Sequence, residues 1–348
     1  MHSASDELRA AIVAADGAIR FDEFMRVALY GDRGFYTSGG QAGRRGDFIT
    51  SPEVGPLFGA VIARWIDAQW RRLGEPDDFT IVEWGAGPGT LARTVLAAAP
   101  QWRGRYLAVE VSEQQCRQHP TGVRSVAAPP SEPFASGVVI ANELLDNVPF
   151  RLAVFDGAWR EVAVAVGRDS SLVETTLAAE PAWDWLPHPA VHGARLPVQD
   201  QAANWVAEAC RTVRQGSVLV FDYGTTSTAQ LAAQPWRNWL RTYRGHGRGE
   251  HYLRNPGEQD ITAQVCIDQL PAPQLSESQA DFLRRWGIDD LVEEGRQAWT
   301  AAAARPDVAA LTMRSRAREA EALLDLHGLG GFCALSWVIP GAATALRV

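Results

Sequence analysis

Lysine is absent from this 348-residue chain, and all 33 basic residues are arginine. We attach no mechanism to that bias. Positive charge is in deficit as well: 41 acidic residues give a formal net charge of -8 and a pI near 5.5, which argues against a broad nucleic-acid-binding surface. Cysteine is scarce. Cys116, Cys210, Cys266 and Cys333 stand far apart, form no C-x-x-C pair and no disulfide-dense scaffold, and read as buried, reduced thiols. No uninterrupted apolar run approaches the roughly 20 residues that cross a bilayer. The opening residues M-H-S-A-S-D-E-L-R lack a basic stretch followed by an apolar one. The expectation is a soluble cytoplasmic protein with no membrane insertion. What the chain does have is apolar bulk: a hydrophobic content of 46% supplies a sizeable core, for one large α/β domain with insertions or one domain plus a cap.

The stretch F-T-I-V-E-W-G-A-G-P-G-T, residues 79–90, organises the rest. Four strand-like residues run into Glu83, then into Gly85, Gly87 and Gly89, and a helix-like run follows from Leu91 to Ala99. A buried strand that stops in a glycine turn and re-enters as a helix gathers backbone N–H groups at one point with no Cβ in the way of a ligand. A dinucleotide turn would read G-x-G-x-x-G or G-x-G-x-x-A, but Thr90 occupies the third small position. Glu83 at the strand end would repel a pyrophosphate and welcome the cationic amino-acid end of S-adenosylmethionine. The turn therefore favours a methyl donor over a nicotinamide dinucleotide.

Other segments fall around this turn. Phe21, Phe24, Met25, Ala28 and Leu29 line one helix face. A glycine-rich loop from Gly34 leads to Thr50 and Glu53, in capping-box relation with Pro52 between them, and Val54, Leu57, Phe58, Val61, Ile62, Trp65 and Ile66 make a helical stripe that Gly74 can end. R-Y-L-A-V-E-V-S reads as a second strand with Glu110 near its end, about 20 residues past the glycine turn, where an acid can accept ribose hydroxyls. Residues 119–133 read as loop with room for one short strand. Val138 to Ala141 form a buried strand that ends in Asn142, Glu143, Asp146 and Asn147, where ligands bind in an open parallel sheet; the other role open to Asn142 is to cap the next element.

Further on, alternation from Arg151 to Val166 suggests a hairpin bent at Asp156-Gly157, residues 180–196 look irregular, Gln201 to Arg214 looks helical, and S-V-L-V-F-D-Y-G is another buried strand. The loop from Tyr243 to Asp260 concentrates arginine, histidine and glycine. Its His246, Glu250 and His251 miss the H-x-x-E-H spacing, so no metal is expected, and the loop reads as a lid or substrate-facing segment against a solvated basic loop. Ser278–Trp286 and Leu311–Leu324 look helical, and G-F-C-A-L-S-W-V-I-P reads as a late strand.

Taken together, the chain resembles the MidA-type S-adenosylmethionine-dependent methyltransferases, whose mitochondrial members assist respiratory complex I assembly. The resemblance rests on F-x-x-F-M-x-x-A-L-Y, R-G-D-F-I-T-S-P-E-V, E-W-G-A-G-P-G, V-E-V-S, A-N-E-L-L-D-N-V-P, F-D-Y-G, Y-R-G-H and D-I-T-A-Q-V. It implies an α/β fold, a doubly wound seven-stranded Rossmann-like sheet with one antiparallel strand. On that plan residues 1–75 are an N-terminal helical extension, and residues 76–348 the methyltransferase domain with insertions at about 151–200 and 225–330.

The resemblance also implies that Glu83, Gly85, Gly87 and Gly89 hold the methionine end of the cofactor and Glu110 the ribose. Asn142 and Glu143 would form the reaction edge, with Gly46, Asp47, Thr50, Ser51, Pro52 and Glu53 closing over the cofactor. The mitochondrial relatives dimethylate an arginine symmetrically on a complex I subunit, which implies a protein substrate, and Glu143 with Asp146 are the first carboxylates expected to orient a guanidinium, Glu53 and Asp47 the next. The chain departs from those relatives in lacking a transit segment and in being short after Asp268. Two other activities share the same pocket: a catalytically silent S-adenosylmethionine-binding assembly factor, and a small-molecule O- or N-methyltransferase.

Overall fold

The computed structural model describes residues 3–38, 50–177, 183–245, 247–305 and 307–341. The chain separates into two units, one of Ile49–Leu144, Glu208–Tyr223 and Pro273–Val348, the other of Met1–Phe48, Leu145–Ala207 and Gly224–Ala272. A break at residue 75 is not the one found. Helix α1 (Pro56–Arg72) shares a core with Ile81, Val138, Leu219 and Phe221, so it belongs to the sheet's unit. Likewise only Gly224–Ala272 leaves that unit after Tyr223, and residues from Pro273 onward return to it.

The first unit is built on a seven-stranded sheet. Its strands in chain order are β1 (Phe79–Trp84), β2 (Tyr106–Val109), β3 (Val123–Val126), β4 (Ser136–Asn142), β5 (Gly216–Asp222), β6 (Leu275–Ser278) and β7 (Cys333–Ile339). They lie side by side as β6-β7-β5-β4-β1-β2-β3, with β7 antiparallel to both of its neighbours and the others parallel. The central strands β4 and β5 are apolar almost throughout because both of their faces are covered, as parallel sheets require. Helices α2 (Thr90–Ala98), α3 (Gln279–Arg285), α4 (Ile288–Ala302) and α5 (Val308–Leu324) complete the unit. Helix α4 has no counterpart in the sequence reading, although Ile288, Leu291, Val292 and Gly295 are its buried face at i, i+3, i+4 and i+7.

The stripe expected to run unbroken from Val54 is interrupted. Ser51–Val54 is one separate helical turn, and Gly55 is extended because the residue before a proline is kept out of the helical region. Glu319 of α5 occupies the gap: its buried carboxylate accepts from the Leu57 N–H at 2.8 Å, and a Cβ on Gly55 would lie 2.3 Å from it.

The second unit carries a five-stranded sheet in which Ala18–Arg20, Trp159–Val166, Arg151–Phe155 and Arg195–Val198 are neighbours and Leu172–Thr176 pairs with Trp159–Val166. The hairpin turns at Asp156-Gly157, with Gly157 at φ +75°. The strand Arg195–Val198 begins inside the stretch that reads as irregular in sequence. Helix Phe21–Tyr30 buries Phe21, Phe24, Met25 and Leu29, and a helix not foreseen, Ala4–Ala14, starts from a capping box between Ser3 and Asp6. Of the four unbridged cysteines only Cys266 is fully buried; Cys116, Cys210 and Cys333 are half-buried, since each sits at the margin of its element.

Candidate functional site

Because β1, β4 and β5 are parallel, their C-terminal ends share one edge of the sheet. At that edge the chain after β1 makes three left-handed residues, Gly85 at φ +65°, Gly87 at +53° and Gly89 at +75°, before entering α2. Side chains here would cost backbone strain and space: a Cβ on Gly85 would lie 2.8 Å from Leu144, and one on Gly89 2.9 Å from His119. Gly87 is held from both sides. Its N–H donates to Glu110 Oε2 at 2.9 Å, and its carbonyl lies 2.8 Å from His119 Nε2, whose Nδ1 meets Ser125 Oγ at 2.7 Å.

Glu110 follows β2 directly and is buried. Its second oxygen accepts from the Ser112 N–H at 2.8 Å and the Val111 N–H also bonds to the carboxyl, which leaves about one of its four acceptor positions for a further donor. Burial pushes this carboxyl up, against the pull of Ser112, Gly87 and His119. His119, in what reads as loop, leaves no sequence signal beyond its position before β3.

Glu83 is less open than the sequence suggests. It is 4% exposed, accepts a hydrogen bond from Tyr106 Oη at 2.7 Å, and faces the Ala92 N–H in the first turn of α2. Burial raises its pKa to about 8, with Tyr106 and Ala92 opposing the rise and Glu110 adding to it. The acid thus caps α2 and ties β1 to β2, and in this structure its carboxyl is chiefly protonated at neutral pH.

At the tip of β4, Glu143 adopts φ +51°, a left-handed conformation that a side-chain-bearing residue takes only where its surroundings impose it. Its N–H donates to the Phe221 carbonyl at 2.8 Å, the next N–H, of Leu144, donates to Asp222 Oδ2 at 3.2 Å, and its Oε1 accepts from Asn142 Nδ2 at 3.1 Å and the Ser51 N–H at 3.4 Å. Asn142 Oδ1 is buried and accepts no hydrogen bond among the described residues. Such an orphaned acceptor at a strand tip suits a ligand donor.

The single turn Ser51–Val54 meets the same edge. Thr50 makes no side-chain cap, so the expected capping box does not form; Glu53 turns instead to accept from Thr90 Oγ1 at 2.6 Å. Ser51 Oγ donates to Gln279 Oε1 at 2.9 Å, and Ser51 and Pro52 are buried. Gly46 and Asp47 lie outside the described residues.

Asp146 belongs to the second unit. There it accepts from Thr262 Oγ1 at 2.5 Å beside Asp260, which ends the loop from Tyr243 and opens the D-I-T-A-Q-V motif. Asp260 Oδ1 receives Tyr36 Oη at 3.1 Å, Asn147 Nδ2 at 2.9 Å and its neighbour Ile261 N–H at 2.9 Å. Burial, then the charge of Asp146, lifts Asp260 to about 7.

The loop after Tyr243 begins as a hairpin, Leu240–Arg244 against Gly247–Arg248, and Gln259 pins it by accepting from the Glu250 N–H and donating to the carbonyls of His251 and Arg254. No metal-binding cluster is present among the described residues, and His246 lies outside them. No helix among the described residues is long and apolar enough to cross a membrane.

The family of S-adenosyl-L-methionine-dependent methyltransferases named Methyltransf_28 matches residues 61–284, more than half of the chain. The chain is 26% identical over 308 residues to "Protein arginine methyltransferase NDUFAF7 homolog, mitochondrial" of Drosophila melanogaster, covering 76% of this chain and 68% of that protein. It is also 26% identical over 326 residues to "Protein arginine methyltransferase NDUFAF7, mitochondrial" of Mus musculus, covering 80% of this chain and 72% of that protein. Among solved structures it resembles a COG1565 superfamily member from Burkholderia thailandensis bound to S-adenosyl-homocysteine, with a TM-score of 0.83, 28% identity and coverage of 97% of this chain and 93% of that one. A native COG1565 structure from the same organism gives a TM-score of 0.80 at 27% identity, over 97% of this chain and 92% of that one.

The cradle fits the cofactor of that family: three side-chain-free left-handed residues, an acid with an acceptor position to spare after β2, and an unmet acceptor at the next strand tip. The chain belongs to this family and is an S-adenosylmethionine-dependent methyltransferase.

Proposed function

We propose that the methyl acceptor is an arginine side chain of a protein, as the names of the Drosophila melanogaster and Mus musculus relatives suggest. The observation that carries this reading is the carboxylate of Glu143, held at a strained strand tip by Asn142 and the Ser51 N–H. When bound, the sulfonium of S-adenosylmethionine supplies an electrophilic methyl group. An arginine begins protonated, so the protein must orient a cation, spread its charge as a proton leaves, and exclude water. Glu143 is assigned to accept the guanidinium N–H groups, with Glu53 on the neighbouring turn as the second carboxylate.

Gly85, Gly87 and Gly89 are assigned to the methionine end, with Glu83 acting by fixing the turn from behind. Glu110 is assigned to the ribose hydroxyls, Asn142 Oδ1 to a donor of the bound cofactor, and Thr50, Ser51 and Pro52 to closing the cofactor edge; Gly46 and Asp47 keep the closing role given by resemblance. Asp146 is assigned a separate part, ordering its own unit through Thr262. A cytoplasmic location and a respiratory-complex subunit as substrate complete the proposal.

The test is Glu143→Gln. Calorimetric titration with S-adenosylhomocysteine should give an affinity within about threefold of the parent, while transfer of labelled methyl to an arginine-containing acceptor protein, followed by mass spectrometry, should fall by at least about 100-fold. Transfer that survives the substitution refutes the role of Glu143. A parent chain that binds cofactor and labels no protein refutes the protein acceptor and leaves the small-molecule or non-catalytic reading.

A further inference from the structure

The loop that the methyltransferase reading leaves unused borders a half-open cavity of about 160 Å³ in the second unit, with Trp236, Arg237, Arg241, Arg248, His251 and Tyr252 among its walls. Leu240, Thr242 and Tyr252 are buried and form its floor, while Arg237 and Arg248 are exposed at its rim. In a chain whose carboxylates outnumber its arginines, none of these three arginines makes an ion pair among the described residues, whereas Arg195, Arg151 and Arg244 each have a glutamate partner. The guanidinium carbon of Arg237 lies 4.2 Å from the centre of the Trp236 ring, and Arg241 Nε donates to the Asn238 carbonyl at 2.9 Å, so each arginine is anchored by one contact. The acid in the wall, Glu250, accepts from Asn255 Nδ2 at 3.1 Å.

We propose that this cavity binds a phosphate group, free or as the monoester of a small molecule. Guanidinium forks match phosphate oxygens two at a time, and three of them share these walls with one carboxylate, Glu250. A cavity of about 150 Å³ holds one benzene ring, so the volume here seats a phosphate group and leaves any larger substituent to project through the open side. His251 stands in the same wall: its own burial pushes its pKa down, Glu174 at 3.9 Å pulls it up, and Arg237, Arg195 and Arg254 each add a smaller push downward. The loop is built for this shape rather than left to solvent. Gln259, 1% exposed, holds residues 250–254 through three hydrogen bonds, and a Cβ on Gly249 would meet Gln259 at 2.5 Å.

The experiment is calorimetric titration of the full chain with inorganic phosphate and with phenyl phosphate, at constant ionic strength, with acetate as the comparison anion. Saturable one-to-one binding of phosphate is expected, at least tenfold weaker in the double variant Arg237→Gln/Arg248→Gln and unchanged in Arg296→Gln, an exposed arginine of α4. Tighter binding of phenyl phosphate assigns the site to a small-molecule monoester seated on Trp236, and equal binding assigns it to free phosphate. A second readout does not depend on the variants: phosphate should raise the pH midpoint of the His251 ring resonance, since a bound anion offsets the arginines. Absence of saturable phosphate heat, acetate binding as tight as phosphate, a double variant that binds like the parent, or an unmoved His251 midpoint would each overturn the proposal.

Discussion

Replacing Glu83 by glutamine tests the buried acid beneath the cofactor turn most directly. The folded-state pKa is raised from its ordinary 4.5 to about 8. The sign follows from linkage: the folded chain holds this proton more tightly than the unfolded one, so the associated stability is complete below pH 4.5 and is lost as pH rises through 8. At about 1.4 kcal/mol per pKa unit, the loss is about 3 kcal/mol by pH 7 and levels off at about 5 kcal/mol above pH 8. Glutamine keeps the volume and an acceptor for either Tyr106 Oη or the Ala92 N–H, but does not titrate. Its loss of the second hydrogen bond is a constant offset, not a slope. Urea unfolding of both proteins at pH 5, 7 and 9 should therefore show the difference moving in favour of the variant by about 4 kcal/mol between pH 5 and pH 9. A difference flat to within about 1 kcal/mol over that range would mean that Glu83 ionises as an exposed glutamate does, and the account of the turn given above would fail.

Three further perturbations have defined outcomes. Gly87→Ala places a side chain at φ +53° with its Cβ 3.2 Å from Gln115, and should weaken S-adenosylhomocysteine binding at least tenfold by calorimetry while lowering stability by about 1 kcal/mol. Glu319→Ala removes the acceptor for the Leu57 N–H at the start of α1, and should cost about 1–2 kcal/mol in urea unfolding, with no gain from the space released under Gly55. Tyr36→Phe removes the one hydroxyl proton shared between Asp260 Oδ1 and Asn147 Oδ1, and should destabilise by about 1–3 kcal/mol, seen as faster amide exchange in Asp260–Ala263.

Local pattern made much of the sheet legible. The apolar runs of β1, β4 and β5, the glycine turn after β1 and the polar tip after β4 announce themselves because strand, turn and tip are adjacent in sequence. Partners far along the chain do not. Glu53 sits at the spacing of a capping box, yet its bond goes to Thr90, 37 residues away. Glu83 has the position of a cofactor-facing acid, yet its bond goes to Tyr106 on the neighbouring strand, a contact that only the β1–β2 register creates. Asp146 and Asp260 come together over 114 residues through Asn147 and Thr262, and nothing in either segment's periodicity signals it. Helix α4 was readable from its spacing, and its acidic first turn at Asp289 and Asp290 is a further sign that went unused.

The strand order has a consequence for how the chain is made. Strand β7 comes after all the others in sequence but lies between β5 and β6. During synthesis the outer border of β5 therefore waits, its amide and carbonyl groups unmatched, until residues 333–339 have emerged. In that interval a bare apolar ribbon is open to pairing with another nascent chain, a hazard that ends when the last strand docks.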